Sequence, residues 1–237
     1  MKPIKTLIVV FGLILFFLAA CDKNPVEPPY DPVINPADFV ANIDNPYFPL
    51  TPGTTFNFRA TTAEGNEAGK VVVTHDTKEI LGVRCVVVAD TVWLEGVLKE
   101  ATFDWYAQHQ DGTVWYFGEA VDNYENGVIA DHDGSFEAGV DGAKPGIIMK
   151  ANPQVGDSYR QEFYKGEAED EAEVLGLNEA VTITFGAFQN CVKTKEWTQL
   201  EPDIEANKYY AAGVGVILEI HTKGPAERNE LINITTE

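Results

Sequence analysis

The stretch that most limits what this chain can become is FDWYAQHQDGTVWYFGE, residues 103–119. Aromatic and β-branched residues flank Asp111-Gly112, and an Asp-Gly pair between such runs is the strongest short-range hairpin signal. A two-residue turn there sets a register: Gln108 faces Trp115, Tyr106 faces Phe117, and Asp104 faces Glu119. One face then carries Asp104, Tyr106, Gln108, Trp115, Phe117 and Glu119. The other carries Phe103, Trp105, Ala107, His109, Val114 and Tyr116. Both faces are aromatic, which predicts a core on one side and a partly covered pocket on the other.

The remainder is broken into short Val, Ile, Thr and aromatic runs by Gly, Pro, Asn and Asp, with no long apolar stripe at helical period. Strands are expected at 54–59, 70–74, 84–92, 100–108, 114–118, 158–164, 171–175, 180–184, 190–197, 206–210 and 214–222. The fold class is all-β and antiparallel. TPGTTFNF at 51–58 matches QVGDSYRQ at 154–161, GVRCVVV at 82–88 matches FQNCVKT at 188–194, and DWYA at 104–107 matches KYYA at 208–211. The landmarks sit 103, 106 and 104 residues apart, a near-constant offset that predicts two duplicated meander halves, about 47–119 and 152–222. Residues 120–150 are then an insertion within a single β domain of residues 47–237. The halves are expected to form a curved sheet or a sandwich.

Lys2 and Lys5 precede an apolar run at residues 7–18, which ends in Leu18-Ala19-Ala20-Cys21. The run is too short to span a bilayer, which takes about 20 residues. A basic head, an apolar stretch and small residues describe a secretory signal peptide, here residues 1–20. LAAC resembles the lipobox of bacterial lipoproteins, which implies that Cys21 is lipidated and becomes the mature N-terminus. More than one acyl chain gives stable anchoring where one is marginal. Residues 21–46 hold six prolines and read as a tether from that anchor, with one helical turn after Asn35. The expected place is the bacterial cell envelope, facing the periplasm or the exterior.

The chain carries a formal charge of −20, and removing the leader takes away lysines only. Nucleic acid is therefore not an expected partner, because phosphate contacts need basic groups. The charge reads first as a solvated outer face, and second as affinity for cationic or sugar-like ligands.

Here a family resemblance enters. The opening YFPLTPGT at 47–54, the hairpin WYAQHQDGTVWYFGE at 105–119 and EAGVDGAKPG at 137–146 resemble an uncharacterised family of bacterial lipoproteins and secreted proteins. The resemblance spans most of residues 45–221 and implies export, with no activity attached. More loosely, the duplicated meander is similar in architecture to the concave sheets of the carriers LolA and LolB. Architecture alone does not fix function.

Candidate chemistry is sparse. Asp104 and Glu119 face each other at the hairpin's open end and can share a proton or a cation, although both can equally point into water. Asp131, Asp133 and Glu137 offer oxygen ligands for a divalent cation such as calcium. They lack the full loop spacing, and Asp-Gly turns are common for local reasons. His75, His109, His132 and His221 are scattered without zinc-site spacing. Ser135 and Ser158 are the only serines, and no nucleophile elbow, phosphate loop, dinucleotide fingerprint or C-x-x-C occurs. With Cys21 taken by lipid, Cys85 and Cys191 are left as an even pair at matching places in the two halves. An oxidising compartment predicts a disulfide between them.

The preferred function is a membrane-anchored binding module. Its pocket is placed at Asp104, Tyr106, Trp115, Phe117 and Glu119, for an apolar, sugar-like or cationic small molecule. The alternatives are a hydrolase using Asp104 and Glu119 as acid and base, and an envelope assembly or structural protein.

Overall fold

A computed structural model describes residues 30–237. Cys21, the leader and the first part of the tether lie outside the described residues. Because the apolar positions alternate, nearly every element is a strand. A single 3₁₀ turn, Pro36–Asp38, precedes the sheet, and Asn35 caps it through its side chain to Ala37 N, 3.4 Å.

The first half of the chain supplies β1 (Phe39–Val40), β2 (Thr54–Thr61), β3 (Asn66–Ile80), β4 (Val83–Leu94), β5 (Val97–His109) and β6 (Val114–Glu125). Three short strands follow: β7 (Val128–Asp131), β8 (Phe136–Glu137) and β9 (Lys144–Met149). The second half supplies β10 (Ser158–Arg160), β11 (Glu162–Phe163), β12 (Asp170–Ile183), β13 (Gly186–Thr198), β14 (Glu205–Ala211), β15 (Gly215–Lys223) and β16 (Arg228–Thr236).

All of them join one antiparallel sheet that curls nearly into a closed barrel, the curved-sheet outcome of the two expected. Strand order is β10-β12-β13-β14-β15-β16-β2-β3-β4-β5-β6-β9-β11, with β1 added to β5 and β7 and β8 added to β6. Two features produce the curl. First, β16 pairs β15 on one side and β2 on the other, so the last strand of the chain joins the two meanders. Second, β10 pairs β12 while β11 pairs β9, so residues 158–163 bridge opposite edges of the sheet. Both sheet edges are thereby shortened, and with them the length of unpaired backbone.

Matching registers recur in the two halves. Val86 pairs Tyr106 and Val88 pairs Asp104; Val192 pairs Tyr210 and Thr194 pairs Lys208. Gly53 N donates to Val73 O at 2.8 Å, and Gly156 N donates to Val174 O at 2.9 Å. One core cluster draws on both halves, with Val73, Val174, Val192, Ile217 and Leu231 fully buried in it. A second lies on the opposite face of β4 to β6 and holds Cys85, Trp105, Ala107 and Phe117, with Ile34 and Phe39 packed on it. The N-terminal segment expected to be tether is therefore part of the folded unit from Tyr30 onward. Tyr30 Oη donates to Pro145 O at 2.9 Å, and β1 pairs residues 39 and 40 with His109 and Gln108.

The disulfide expectation is corrected. Cys85 and Cys191 are both free and buried, one in each of these clusters. Five strands separate β4 from β13 in the sheet order, so equivalent positions in the two halves are not neighbours. Burial pushes the Cys85 thiol up to about 12, which leaves it an unreactive core group.

Candidate functional site

The organising hairpin forms, but its register differs from the one expected. The loop has three residues: Gly112 N donates to His109 O and His109 N donates to Thr113 O, both at 2.8 Å. Gly112 occupies the left-handed region at φ 96°, as a type I turn followed by a bulge requires. The pairing is therefore shifted by one residue: Gln108 faces Val114, Ala107 faces Trp115 and Tyr106 faces Tyr116.

A one-residue slip exchanges faces. Trp115 and Phe117 belong with Trp105 and Cys85 in the outer cluster, where Phe117 is fully buried against the edge of Phe39. They do not line the pocket assigned to them. Tyr116 takes their place on the Asp104 side, stacked on Tyr106 with ring centres 4.7 Å apart. A bulge at Gly118 then reverses the slip, so Asp104 pairs Glu119 after all. Gly118 sits at φ 130°, and a β-carbon there would lie 2.2 Å from Phe136 O, so only glycine fits where β6 meets β8.

Inside the curl is a cavity of about 250 Å³. Alternation aims every second residue into it: Val88, Asp90 and Val92 from β4, Asp104 and Tyr106 from β5, Lys208 and Tyr210 from β14. Phe48 and Leu50 come from the segment before β2, Phe56 and Phe58 from β2, and Val216 and Glu219 from β15. The walls are mainly apolar and aromatic, with a few convergent charged groups, the usual composition of a small-molecule site.

Those charges are unequal. Asp104 is buried, and the Tyr116 hydroxyl donates to its Oδ1 at 2.7 Å. Burial raises its carboxyl to about 7, helped by the like charges of Asp90 and Glu100 and opposed by the Tyr116 and Tyr106 hydroxyls. Glu119 is pushed to about 9 by burial and then by Asp104, Glu162 and Glu100. Asp90 rises to about 6 through burial and Glu100. Glu162 and Asp170 are raised too, burial being the main cause for each. Across the cavity Glu196 goes the other way. Burial pushes it up, but Lys208 Nζ at 2.8 Å and hydroxyl donors from Thr194 and Tyr210, each at 2.8 Å, hold it below the ordinary carboxylate range.

The residues offered for a cation do not converge. Asp131 Oδ1 accepts from Asn123 Nδ2 at 2.7 Å and from Asp133 N at 3.2 Å. Glu137 is turned to Lys78 at 2.7 Å, and that ammonium also sits 3.3 Å over the Trp105 ring. Among the described residues no three His, Cys, Asp or Glu side chains are gathered as a metal site.

Of the five residues placed at the pocket from sequence, Asp104 and Tyr106 line this cavity and Trp115, Phe117 and Glu119 do not; Asp90, Lys208, Tyr210 and Glu219 line it without having been singled out. The signal for Lys208 was present, since the repeat sets KYYA against DWYA and so places a lysine where the first half has Asp104.

Fold and cavity together define an antiparallel sheet curled around a lined interior. No protein-family model and no curated protein matches the chain. Among solved structures it is similar to a Bacteroides fragilis protein described as exported, with a YmcC-like fold: TM-score 0.48, 19% identity, covering 80% of this chain and 99% of that one. It is also similar to a Parabacteroides distasonis protein described as a lipoprotein: TM-score 0.44, 15% identity, covering 80% of this chain and 98% of that one.

Proposed function

We propose that this chain is a lipoprotein of the bacterial cell envelope, anchored through Cys21, whose curled sheet binds one small molecule in its interior. The anchor rests on the basic head, the short apolar run and LAAC at residues 18–21. The binding role rests on one observation above all: an apolar, aromatic cavity of about 250 Å³ into which Asp90, Asp104, Lys208 and Glu219 converge. A folded interior with no ligand to hold gains nothing from burying carboxylates there. The ligand classes that suit such walls are apolar, sugar-like or cationic molecules.

Binding is favoured over hydrolysis by the placement of the carboxylates. Asp104 lines the cavity and Glu119 does not, so the facing pair does not present two groups to one substrate. Asp104 Oδ1 is also occupied by Tyr116.

Native mass spectrometry of the protein purified from its own cells tests the binding role. A reproducible adduct that is lost on unfolding is expected, and a bare polypeptide-plus-lipid mass in every preparation would count against it. The anchor is tested separately. Cys21→Ala is expected to release the protein into the soluble fraction without incorporated fatty acid, and a variant that still incorporates labelled fatty acid would overturn it.

A further inference from the structure

Three buried polar atoms among the described residues have no hydrogen-bond partner: Asp90 Oδ1, the Tyr159 hydroxyl and Gln161 Nε2. Of these residues, Asp90 lines the cavity. An orphaned buried acceptor is uncommon in a folded chain and calls for a donor. The strand explains its aim, because Val88, Asp90 and Val92 project inward from β4 on alternate positions. The Lys208 ammonium, paired with Glu196 at 2.8 Å, makes no hydrogen bond to Asp90 Oδ1. Burial and Glu100 raise the Asp90 carboxyl to about 6, against the opposing pull of the Thr91 backbone N–H and Lys208.

The surroundings narrow the donor further. Phe56, Phe58 and Tyr106 supply apolar and aromatic area to the same cavity. An ammonium is attracted both to such ring faces and to a carboxylate. An anionic ligand would meet Asp90, Asp104 and Glu219, and the one basic lining residue, Lys208, is already paired with Glu196 at 2.8 Å. A quaternary ammonium has no N–H and would leave Asp90 Oδ1 without a donor.

We propose that the cavity takes a small primary amine, its ammonium donating to Asp90 Oδ1 and its hydrocarbon lying against Phe56, Phe58 and Tyr106. This assignment rests on reading the cavity as the ligand site.

Titration calorimetry with three probes of one chain length, octylamine, octan-1-ol and octanoate, tests it on the full chain made without lipid by Cys21→Ala. At pH 7.5 octylamine is expected to bind at least about tenfold more tightly than octan-1-ol, the worth of one charge-assisted hydrogen bond, and octanoate not at all. Asp90→Asn is expected to remove octylamine's preference over octan-1-ol, with far-UV circular dichroism and a thermal melt reporting that the variant is folded. Equal affinity of the unsubstituted cavity for octylamine and octan-1-ol would overturn the amine assignment and leave the cavity standing as a ligand site. An octylamine preference that survives Asp90→Asn would overturn the assigned contact. No binding of either probe would overturn both the assignment and the reading beneath it. If Asp90→Asn does not fold, the three-probe series still decides.

Discussion

The strands β4 to β6 and the strands β13 to β15 run the same pairing with different chemistry. Val88 opposite Asp104 corresponds to Thr194 opposite Lys208, and Asp104 opposite Glu119 corresponds to Lys208 opposite Glu219. In both, a register shift lies between the tyrosine pairing and the acidic pairing on the next strand. Yet the first half holds Asp104 and Glu119 far above their ordinary range, whereas in the second half Glu196 is held below it while Glu219, opposite Lys208, stays raised by burial. Burial is the largest influence on all of them and always pushes upward, so burial does not explain the difference. What differs is the residue at one position: Lys208 stands where the first half has Asp104. In a poorly solvated interior a single lysine holds the one carboxylate it contacts as a fixed ion pair and leaves the other buried carboxyls raised.

The strongest way to break this contrast is to remove the lysine. Lys208→Met leaves Glu196 buried without its counter-ion and is expected to cost about 3–5 kcal/mol at pH 7 by chemical denaturation. A loss below about 1 kcal/mol would mean that the two halves do not differ as described.

The next test is on the carboxylate side, and its sign follows from linkage. The folded carboxyl of Glu119 lies at about 9, against an ordinary value of 4.5. The stability it contributes is therefore complete below about pH 4.5 and is lost as pH rises through about 9. Asp104, at about 7, and Asp90, at about 6, lose theirs in the same direction. The protein is thus expected to weaken from mildly acidic toward alkaline pH. Glu119→Gln should be more stable than the unsubstituted protein by about 2 kcal/mol at pH 9 and indistinguishable at pH 4.5. Parallel stability curves across that range would contradict the raised carboxyl.

Two hydroxyl deletions sharpen the comparison further. Tyr116→Phe removes the donor to Asp104 and is expected to cost about 1.5 kcal/mol, because a buried acceptor loses its partner. Tyr210→Phe removes one of several donors to Glu196, where Lys208 remains, and is expected to cost about 0.5 kcal/mol. Urea midpoints of the two variants side by side would show whether the order holds.

The smallest expected effect concerns Cys85 and Cys191. Reducing agent should leave the melting of the protein unchanged, and denaturation should reveal both Cys85 and Cys191 as titratable thiols, since both are free in the fold. Their absence would indicate that the two halves approach each other in a way the sheet order does not allow.

Several features were legible in the sequence. Period-two alternation and turn residues dictate strands wherever one face must be dry, so the antiparallel β class was readable. Asp-Gly marked the hairpin at 111–112, and Asn35 marked the one capped turn. The repeated landmarks carried the recurring registers. Other features depended on shape. Whether Asp-Gly closes a two-residue or a three-residue loop depends on Asp111, which would need positive φ in a two-residue turn and does not adopt it here, and on how β6 must meet β8. That single residue of slip moved Trp115 and Phe117 to the outer cluster and brought Tyr116 inward. The strand β16 was missed because RNELINITT alternates weakly, yet it fastens β15 to β2 and so creates the interior. The amino-acid order by itself determined the strand-forming runs and the acidic balance, which depend on local composition and spacing. Only the tertiary structure decided that Asp90, Asp104, Lys208 and Glu219 share one cavity. Their convergence comes from the closing of the sheet, which sets Asp90 and Asp104 in one cavity with Lys208 and Glu219 from more than a hundred residues further along the chain.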